Sequence, residues 1–364
     1  MTVSSRHVVV MAGGTGGHVF PALAVADVLR QRGCTVSWLG TRNGIEARLV
    51  PAAGIEVDWI DIGGLRGNGL RGWLSAPWRL WNAVRQALLA LRRRQPVVVL
   101  GLGGFVAGPG GLAARWAKIP LVIHEQNAVA GLTNRALALI AQRVLAAFPT
   151  AFSGGQAVVT GNPVRTEIAA LPAPALRFAG RKGPARLFVF GGSQGAQVLN
   201  RLLPAAIGQL AVEERPSVVH QAGRGADRLA QVQAAYAAAA VTVEVVEFID
   251  DMASEYAKAD LVVCRAGALT VSELAAAGVG AVLLPLSTAV DDHQTANARW
   301  LVAAGAALCV DERSLTASAL ADHLRPLISD GRSAWEAMAS AARSCAVVDA
   351  ATTVADICLS EARA

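Results

Sequence analysis

Short runs of apolar, often β-branched residues alternate along the chain with longer amphipathic or alanine-rich stretches. In the first half the apolar runs are "HVVVMAG", "TVSWLG", "IEVDWIDI", "PVVVLGLG", "PLVIHEQ" and "RVLAAF". They are near-continuous rather than alternating, the pattern of strands buried on both faces of a parallel sheet. Between them lie helical patterns such as "PALAVADVLRQRG", which stops on a glycine. The stretch "LPAPALRFAGRKGPAR" (171–186) interrupts the rhythm and, being rich in Pro, Gly and basic residues, reads as a linker. The alternation then restarts with "RLFVFGGSQGAQVLNRLL" and continues through "SVVHQAG", "VTVEVVEFI", "DLVVCRAG" and "GAVLLPL". From about Ser333 onward the pattern is Ala-rich and helical. An α/β protein with two doubly wound parallel sheets is the expectation, and 364 residues suit two domains.

Composition narrows the class. With 53% hydrophobic and 16% charged residues the chain is globular rather than disordered. Five scattered cysteines (Cys34, Cys264, Cys309, Cys345, Cys358), none in a C-x-x-C pair, point to a reducing compartment without a disulfide framework or zinc site. No apolar run reaches the roughly 18 residues of a membrane span. Glycines and His18 break the N-terminal apolar stretch too early for a signal peptide, so a cytoplasmic location is expected. Residues 1–165 carry 17 Lys+Arg against 6 Asp+Glu, or +11, while the remainder carries −5. Such an asymmetry suggests that the first half meets something anionic.

Candidate chemistry lies where strands end. "MAGGTGGHVFPAL" and "VFGGSQGAQVLNRL" echo one another: each follows the first strand of its half and precedes a helix. Glycines there allow a sharp turn and close approach of a ligand, and the helix amides beyond favour anions. Neither turn is a dinucleotide fingerprint: Val19 stands where G-x-G-x-x-G needs its last glycine, and Ser193 and Gln194 displace the second glycine of the other turn. No phosphate loop of the G-x-x-x-x-G-K-[ST] type occurs. A third turn, "CRAGALTVSELAAAG" (264–278), admits two readings. Its hydroxyls and amides can hold a phosphate with Glu273 on a ribose, or Thr270 and Glu273 can form a capping box. In "STAVDDHQTANARW", Gln294 and Asn297 share a helical face, able to grip sugar hydroxyls or to face solvent.

Together "GGTGGHVFPALAVA", "HEQNAVAGLTNR", "GNPVR", "GGSQGAQVLN", "FIDDMASEYAKADLVVCRAGALTVSELAAAG" and "DDHQTANA" closely resemble, in order and over most of the chain, the MurG family. These are peptidoglycan glycosyltransferases that move N-acetylglucosamine from UDP-GlcNAc to lipid I, giving lipid II. The resemblance implies a GT-B fold: two Rossmann-like domains flanking an interdomain cleft, with the terminal helix crossing back. The implied domains are 1–165 with 341–364, facing acceptor and membrane, and 166–340, binding UDP-GlcNAc. The implied donor contacts are Thr15, Gly16, Gly17, Asn127 and Arg165 in the first domain. In the second they are Ser193, Ile249 (reading uracil), Ala268, Leu269, Thr270, Val271, Ser272, Glu273 (on the ribose) and Gln294 (on the sugar). At the "DDHQ" site the family more often has glutamine at position 293, so no sugar-binding role is carried over to His293. No cofactor and no nucleic-acid partner are implied, and the place of action is the cytoplasmic face of the inner membrane.

The implied reaction is an inverting transfer in which the muramic acid 4-hydroxyl attacks the anomeric carbon as UDP leaves. It needs a base near the acceptor and charge neutralisation at the diphosphate. Arg165 and the helix amides near Ser193 and Thr270 can supply the second. Asp250–Asp251 and Asp291–Asp292 are adjacent pairs rather than D-x-D, so no metal is expected at the diphosphate. His18, whose ordinary pKa near 6.5 suits proton transfer at neutral pH, is the first choice of base, and Glu125 the second. His124 is expected to be structural.

A membrane-bound acceptor requires a docking surface. In 64–94, Trp73, Trp78 and Trp81 lie among Arg66, Arg71, Arg79 and Arg85, and Leu74, Trp78 and Trp81 follow i, i+4, i+7 spacing. Tryptophan favours the membrane interface, and each basic residue gains roughly 1 kcal/mol near an anionic surface. The alternative is that the stripe is core. The turn "GLGGFVAGPGG" (101–111) is a candidate for the acceptor diphosphate. A different GT-B transferase, a UDP-sugar epimerase, or a non-catalytic membrane-surface scaffold are the competing readings.

Overall fold

The computed structural model describes residues 6–63, 69–192, 195–287, 292–329 and 331–362, with the backbone alone over 69–75. The chain divides into two units: Met1–Arg165 with Val347–Ala364, and Thr166–Ala346. The return point expected at 341 falls inside a helix of the second unit, and the change of unit comes at Val347.

Among the described residues the first unit runs β1 (His7–Ala12), α1 (Gly16–Gln31), β2 (Thr35–Gly40), α2 (Glu46–Ala52), β3 (Glu56–Trp59), α3 (Gly69–Arg94), β4 (Val98–Gly103), α4 (Ala107–Trp116), β5 (Leu121–Glu125), α5 (Leu132–Leu137), β6 (Arg143–Ala146) and β7 (Val158–Val159). The strands form a parallel sheet of order β3-β2-β1-β4-β5-β6-β7. Order reverses between β1 and β4, the switch point where such sheets place their ligands. Alternate residues of β1 feed opposite layers. Val8 and Val10 pack with Val19, Val25 and Leu29 of α1, whereas Val9 and Met11 pack with Val84 and Leu91 of α3. This two-sided burial is the reason for the near-continuous apolar pattern, and each such side chain contributes about 1.5–3 kcal/mol. The two-residue β7 carries too little pattern to be read from sequence.

The second unit opens with α6 (Thr166–Ala169) and α7 (Pro174–Phe178). It continues β8 (Arg186–Phe190), α8 (Gln197–Gly208), β9 (Ser217–Gln221), α9 (Ala226–Ala238), β10 (Glu244–Val246), α10 (Met252–Lys258), β11 (Leu261–Cys264), α11 (Ala268–Ala277), β12 (Gly280–Leu283), α12 (His293–Ala303), β13 (Ala307–Cys309), α13 (Ala317–Ser329) and α14 (Arg332–Ser344). Its parallel sheet has the order β10-β9-β8-β11-β12-β13, with the same reversal, here between β8 and β11. The final helix, α15 (Ala350–Glu361), returns to the first unit, where Val354, Ala355 and Cys358 join the core beside α1.

The stretch 171–186 is not a linker. Proline opens α7 at its first turn, and Phe178 is buried with Ala185, Trp335 and Ala339. Arg177 donates to Tyr256 O (3.1 Å), Arg181 donates to Lys258 O (3.1 Å), and Arg181 also pairs with Asp260. Its prolines, glycines and arginines start a helix and bind carbonyls around the end of α10, so a composition typical of loops is here part of the packed unit.

Candidate active site

At the switch point of the first sheet, β1 runs out into Gly13, Gly14 and Thr15 before α1. Gly14 adopts φ +89° and donates its N–H to Glu46 Oε2 (2.9 Å). Glu46 is fully buried, and its other oxygen accepts from Thr41 N (3.1 Å) and Thr41 Oγ1 (2.7 Å). A carboxylate from α2 thereby ties the glycine loop to the end of β2, a brace that no local motif announced. β4 ends on Gly103 and Gly104, both at positive φ. A Cβ on Gly103 would sit 2.9 Å from the His18 ring, and one on Gly104 2.3 Å from Gly13 O, so only glycine lets the two turns meet.

His18 is the third residue of α1, half-buried, with Nδ1 2.9 Å from Gln126 Oε1. Thr15 is the exposed N-cap, and its carbonyl accepts from the amides of His18 and Val19. Gly16 and Gly17 are the first two residues of the helix. The Arg165 guanidinium lies 5.4 Å from the centre of the Phe20 ring, which brings "GNPVR" to the opening turn of α1.

The end of β5 supplies the remaining polar groups. Glu125 is buried, and Oε1 accepts from Asn127 N (2.9 Å) and Asn127 Nδ2 (3.1 Å). Oε2 accepts from Asn134 Nδ2 (2.8 Å) and Gly131 N (3.2 Å). Both oxygens are committed to folding the loop from Asn127 to α5. Next to it, His124 is fully buried, and burial holds its imidazole down at about 4, so it is neutral at physiological pH. Its Nε2 meets Gly161 O (2.9 Å), and its Nδ1 meets Gln126 Nε2 (3.0 Å).

The second unit repeats the scheme with different materials. β8 and β11 are neighbours, Phe190 opposite Cys264. After β8, Gly191 and Gly195 have backbone so close, Ala196 N and Ala222 O respectively, that a Cβ on either would lie 2.1 Å away. Ser193, in this turn, lies outside the described residues. After β11, Gly267 is the N-cap of α11 with no side chain capping it. Of the two readings of this turn, the Thr270–Glu273 capping box is therefore not formed: Thr270 lies inside the helix, three residues beyond the cap. Ala268, Leu269 and Thr270 form the first turn, and Val271 is buried. Ser272 Oγ donates back to Ala268 O (3.0 Å). Glu273 is buried and accepts from Tyr256 O–H (3.3 Å). Ile249 is half-buried on the loop after β10.

Gln294 and Asn297 do not act as a pair. Asn297 is fully buried and donates to Ala266 O (3.2 Å), bracing the turn before α11. Gln294 Oε1 accepts from Leu286 N (2.9 Å). Glu312 and Arg265 hold the same loop, through Ser287 N (2.7 Å) and Leu284 O (3.1 Å) respectively. His293 is the half-buried first residue of α12, and Asp291 lies outside the described residues.

On α3, the core face is Ala83, Val84, Ala87, Ala90 and Leu91. Trp78 is 72% exposed and Trp81 53%, so these two are not core. Trp81 stacks at 5.8 Å, tilted, on Trp116 of α4, itself 53% exposed, extending an apolar surface flanked by half-buried Arg79 and exposed Arg85. The side chains of Arg71, Trp73 and Leu74, and all of Arg66, lie outside the described residues. Among the described residues, no helix is long and apolar enough to cross a membrane, and no group of three His, Cys, Asp or Glu is placed to hold a metal ion.

Known proteins share this arrangement. Residues 8–146 match the glycosyltransferase family 28 N-terminal domain, and residues 186–354 the glycosyltransferase family 28 C-terminal domain. A UDP-N-acetylglucosamine–N-acetylmuramyl-(pentapeptide) pyrophosphoryl-undecaprenol N-acetylglucosamine transferase of Alkalilimnicola ehrlichii is 55% identical over 98% of this chain and 99% of its own. The one of Nitrosococcus oceani is 56% identical over 97% and 98%. The crystal structure of Acinetobacter baumannii MurG superposes with a TM-score of 0.84 at 43% identity, covering 98% of this chain and 99% of that one. The chain belongs to the MurG family. It is a glycosyltransferase with two Rossmann-like parallel-sheet domains of the GT-B class. The fold also recruits residues to which the sequence alone assigned no role: Glu46, Gln126, Asn134 and Phe20. Their partners lie 32, 108, 9 and 145 positions away in the chain. The 9-residue step was the one legible signal, since Glu125 and Asn134 both stand inside "HEQNAVAGLTNR" while the other partners lie in separate parts of the chain.

Proposed function

We propose that this chain transfers N-acetylglucosamine from UDP-GlcNAc to the 4-hydroxyl of the muramic acid of lipid I, with inversion, to give lipid II. What supports this reading most is the switch-point placement of His18, a half-buried imidazole in the first turn of α1 next to a braced glycine loop. His18 Nε2 takes the 4-hydroxyl proton as that oxygen attacks the anomeric carbon, and UDP leaves with the electron pair of the broken C–O bond. Glu125 is the loop organiser rather than the base, since four N–H donors already engage its two oxygens. The acceptor's diphosphate meets the turn from Gly103 into α4.

The second unit holds the donor. The uncapped amides at the start of α11, with Thr270 and Ser272, receive the diphosphate. Glu273 takes the ribose, Ile249 reads uracil through its backbone, and Gln294 reaches the sugar through its amide nitrogen. Ala268, Leu269 and Val271 complete this segment. Thr15, Gly16, Gly17, Asn127 and Arg165 are donor contacts from the first unit, Arg165 offsetting diphosphate charge. Docking at the anionic cytoplasmic face of the inner membrane falls to Trp78 and Trp81 with Arg79, continued by Arg71 and Trp73.

The test is UDP release from UDP-GlcNAc with and without a soluble lipid I analogue. Release that needs the analogue and yields a β-1,4-linked disaccharide is expected. Conversion of UDP-GlcNAc to an epimer without acceptor would establish the epimerase reading instead, and no turnover at all would favour the scaffold.

A further inference from the structure

From His18 to the backbone of the first unit runs a chain of three polar side chains, His18, Gln126 and His124, whose hydrogen positions are fixed from its far end. Gly161 O can only accept, so His124 Nε2, 2.9 Å away, carries a proton. The His124 ring is fully buried and neutral, so its Nδ1 is bare and accepts. Gln126 Nε2 lies 3.0 Å from that nitrogen and 3.0 Å from the His124 carbonyl oxygen, a second group that can only accept. A flipped amide would set its oxygen against both acceptors, so the NH2 points to His124 and Oε1 points to His18. That oxygen can only accept, and His18 Nδ1 lies 2.9 Å from it. His18 Nδ1 therefore bears the proton.

We propose that Gln126 and His124 are positioning residues which hold His18 as its Nδ1–H tautomer, leaving the Nε2 lone pair as the proton acceptor of the transfer reaction. The proposal rests on the reading of His18 as base. In the step, the O–H bond of the acceptor breaks and an Nε2–H bond forms. The imidazolium then carries protons on both nitrogens, and its Nδ1–H still donates to Gln126 Oε1. Gln126 gives up no proton and carries no charge, so the chain orients the ring without relaying a proton. Gly103 belongs to the same device: lacking a Cβ, it leaves room for the ring that Gln126 holds.

The experiment is ¹⁵N NMR of histidine-labelled protein at pH 8, with the His18 signals identified among the six histidines by their loss in His18→Gln. A pyrrole-type Nδ1 and a pyridine-type Nε2 are expected. In Gln126→Met, of similar volume but without the amide, the signals should move toward the opposite tautomer. There kcat should fall about 10- to 100-fold while KM for UDP-GlcNAc is kept, since an ill-set tautomer acts on the chemical step. An Nε2–H tautomer in the wild-type protein overturns the proposal, and this measurement stands even if Gln126→Met does not fold. Unchanged tautomer and kcat in Gln126→Met also overturn it. A His18→Gln enzyme with wild-type kcat removes the base reading itself, while the wild-type spectrum still decides the tautomer.

Discussion

The two switch points are built to one topology and filled with different chemistry. In the first unit the strand ends are laced together by buried side chains: Glu46 to the glycine loop, Glu125 to the loop before α5, and Gln126 with His124 to His18. In the second, buried side chains brace the strand ends as well, but they hold backbone groups: Gln221 accepts from Gly191 N and Asn297 donates to Ala266 O, while α11 starts on a Gly267 cap without a side chain. The difference fits the division of labour proposed above. A site that must hold one ring nitrogen in place needs side-chain braces, because a tautomer is set by its hydrogen-bond partner. A site that receives a diphosphate needs free amides, and side-chain caps would compete for them.

The sharpest way to break this contrast is at His18. His18→Ala should lower kcat by about 10²- to 10⁴-fold while donor affinity, measured by titration with UDP, stays near the wild-type value. A wild-type kcat would remove catalysis from the first unit. A loss seen equally in UDP affinity would make His18 a donor-site residue and erase the contrast. Glu273→Ala should do the reverse, weakening UDP binding about tenfold or more with a smaller effect on a saturated rate. If kcat fell and affinity held, Glu273 would belong to the chemistry.

The braces have a stability signature. Glu125→Gln keeps the shape but replaces an acceptor oxygen by an NH2 that faces donors. A destabilisation of about 2–3 kcal/mol, read by chemical denaturation, is expected from the unsatisfied groups, with Glu46→Gln giving a similar or smaller loss. Unchanged stability in both would mean that the carboxylates are not braces. The pH dependence sharpens the comparison, because each unit buries one neutral histidine. His124 and His220 are both held down to about 4 by burial, below the 6.5 of an unfolded chain. The unfolded state therefore binds more protons between these values, and stability is fully present above about pH 6.5 and lost as pH falls toward 4. Each histidine should remove about 2 kcal/mol between pH 7 and pH 5, visible as a lower Tm by calorimetry. His220→Asn should flatten that loss for the second unit alone.

The smallest expected effect concerns the exposed tryptophans. Trp78→Ala with Trp81→Ala should leave turnover of a water-soluble acceptor unchanged while weakening flotation with anionic vesicles, and added salt should weaken the wild-type protein too. Equal binding to neutral vesicles would count against the basic residues around them.

Much of this was legible in the amino-acid order. The near-continuous apolar runs specified parallel strands buried on two faces, and the paired glycine turns marked the first strand end of each sheet. The family resemblance put Glu273 at the donor, and an ordinary pKa near 6.5 on a glycine loop made His18 the first choice of base. Local patterns misled where their meaning depended on a partner. "LPAPALRFAGRKGPAR" has the composition of a linker, yet Phe178 and its arginines pack against α10 and α14. Thr270 and Glu273 have capping-box spacing, yet the helix begins two residues before Thr270, on a Gly267 cap. Gln294 and Asn297 share a helical face by count, yet only the folded turn before α11 shows that Asn297 is spoken for.

Sequence by itself determined the two-sheet plan, the family and the residue types at the strand ends, because those follow from periodicity and from short motifs read within one strand–turn–helix unit. Only the tertiary structure decided what each polar group does there. Glu125 and Glu46 are both carboxylates near glycine turns, and nothing local says that their oxygens are already taken. His18 and Gln126 stand 108 residues apart, and the state of the one depends on the orientation of the other. Hydrogen bonds act over about 3 Å in space and are blind to distance along the chain, so the protonation and availability of a site residue emerge only once the fold has chosen its neighbours.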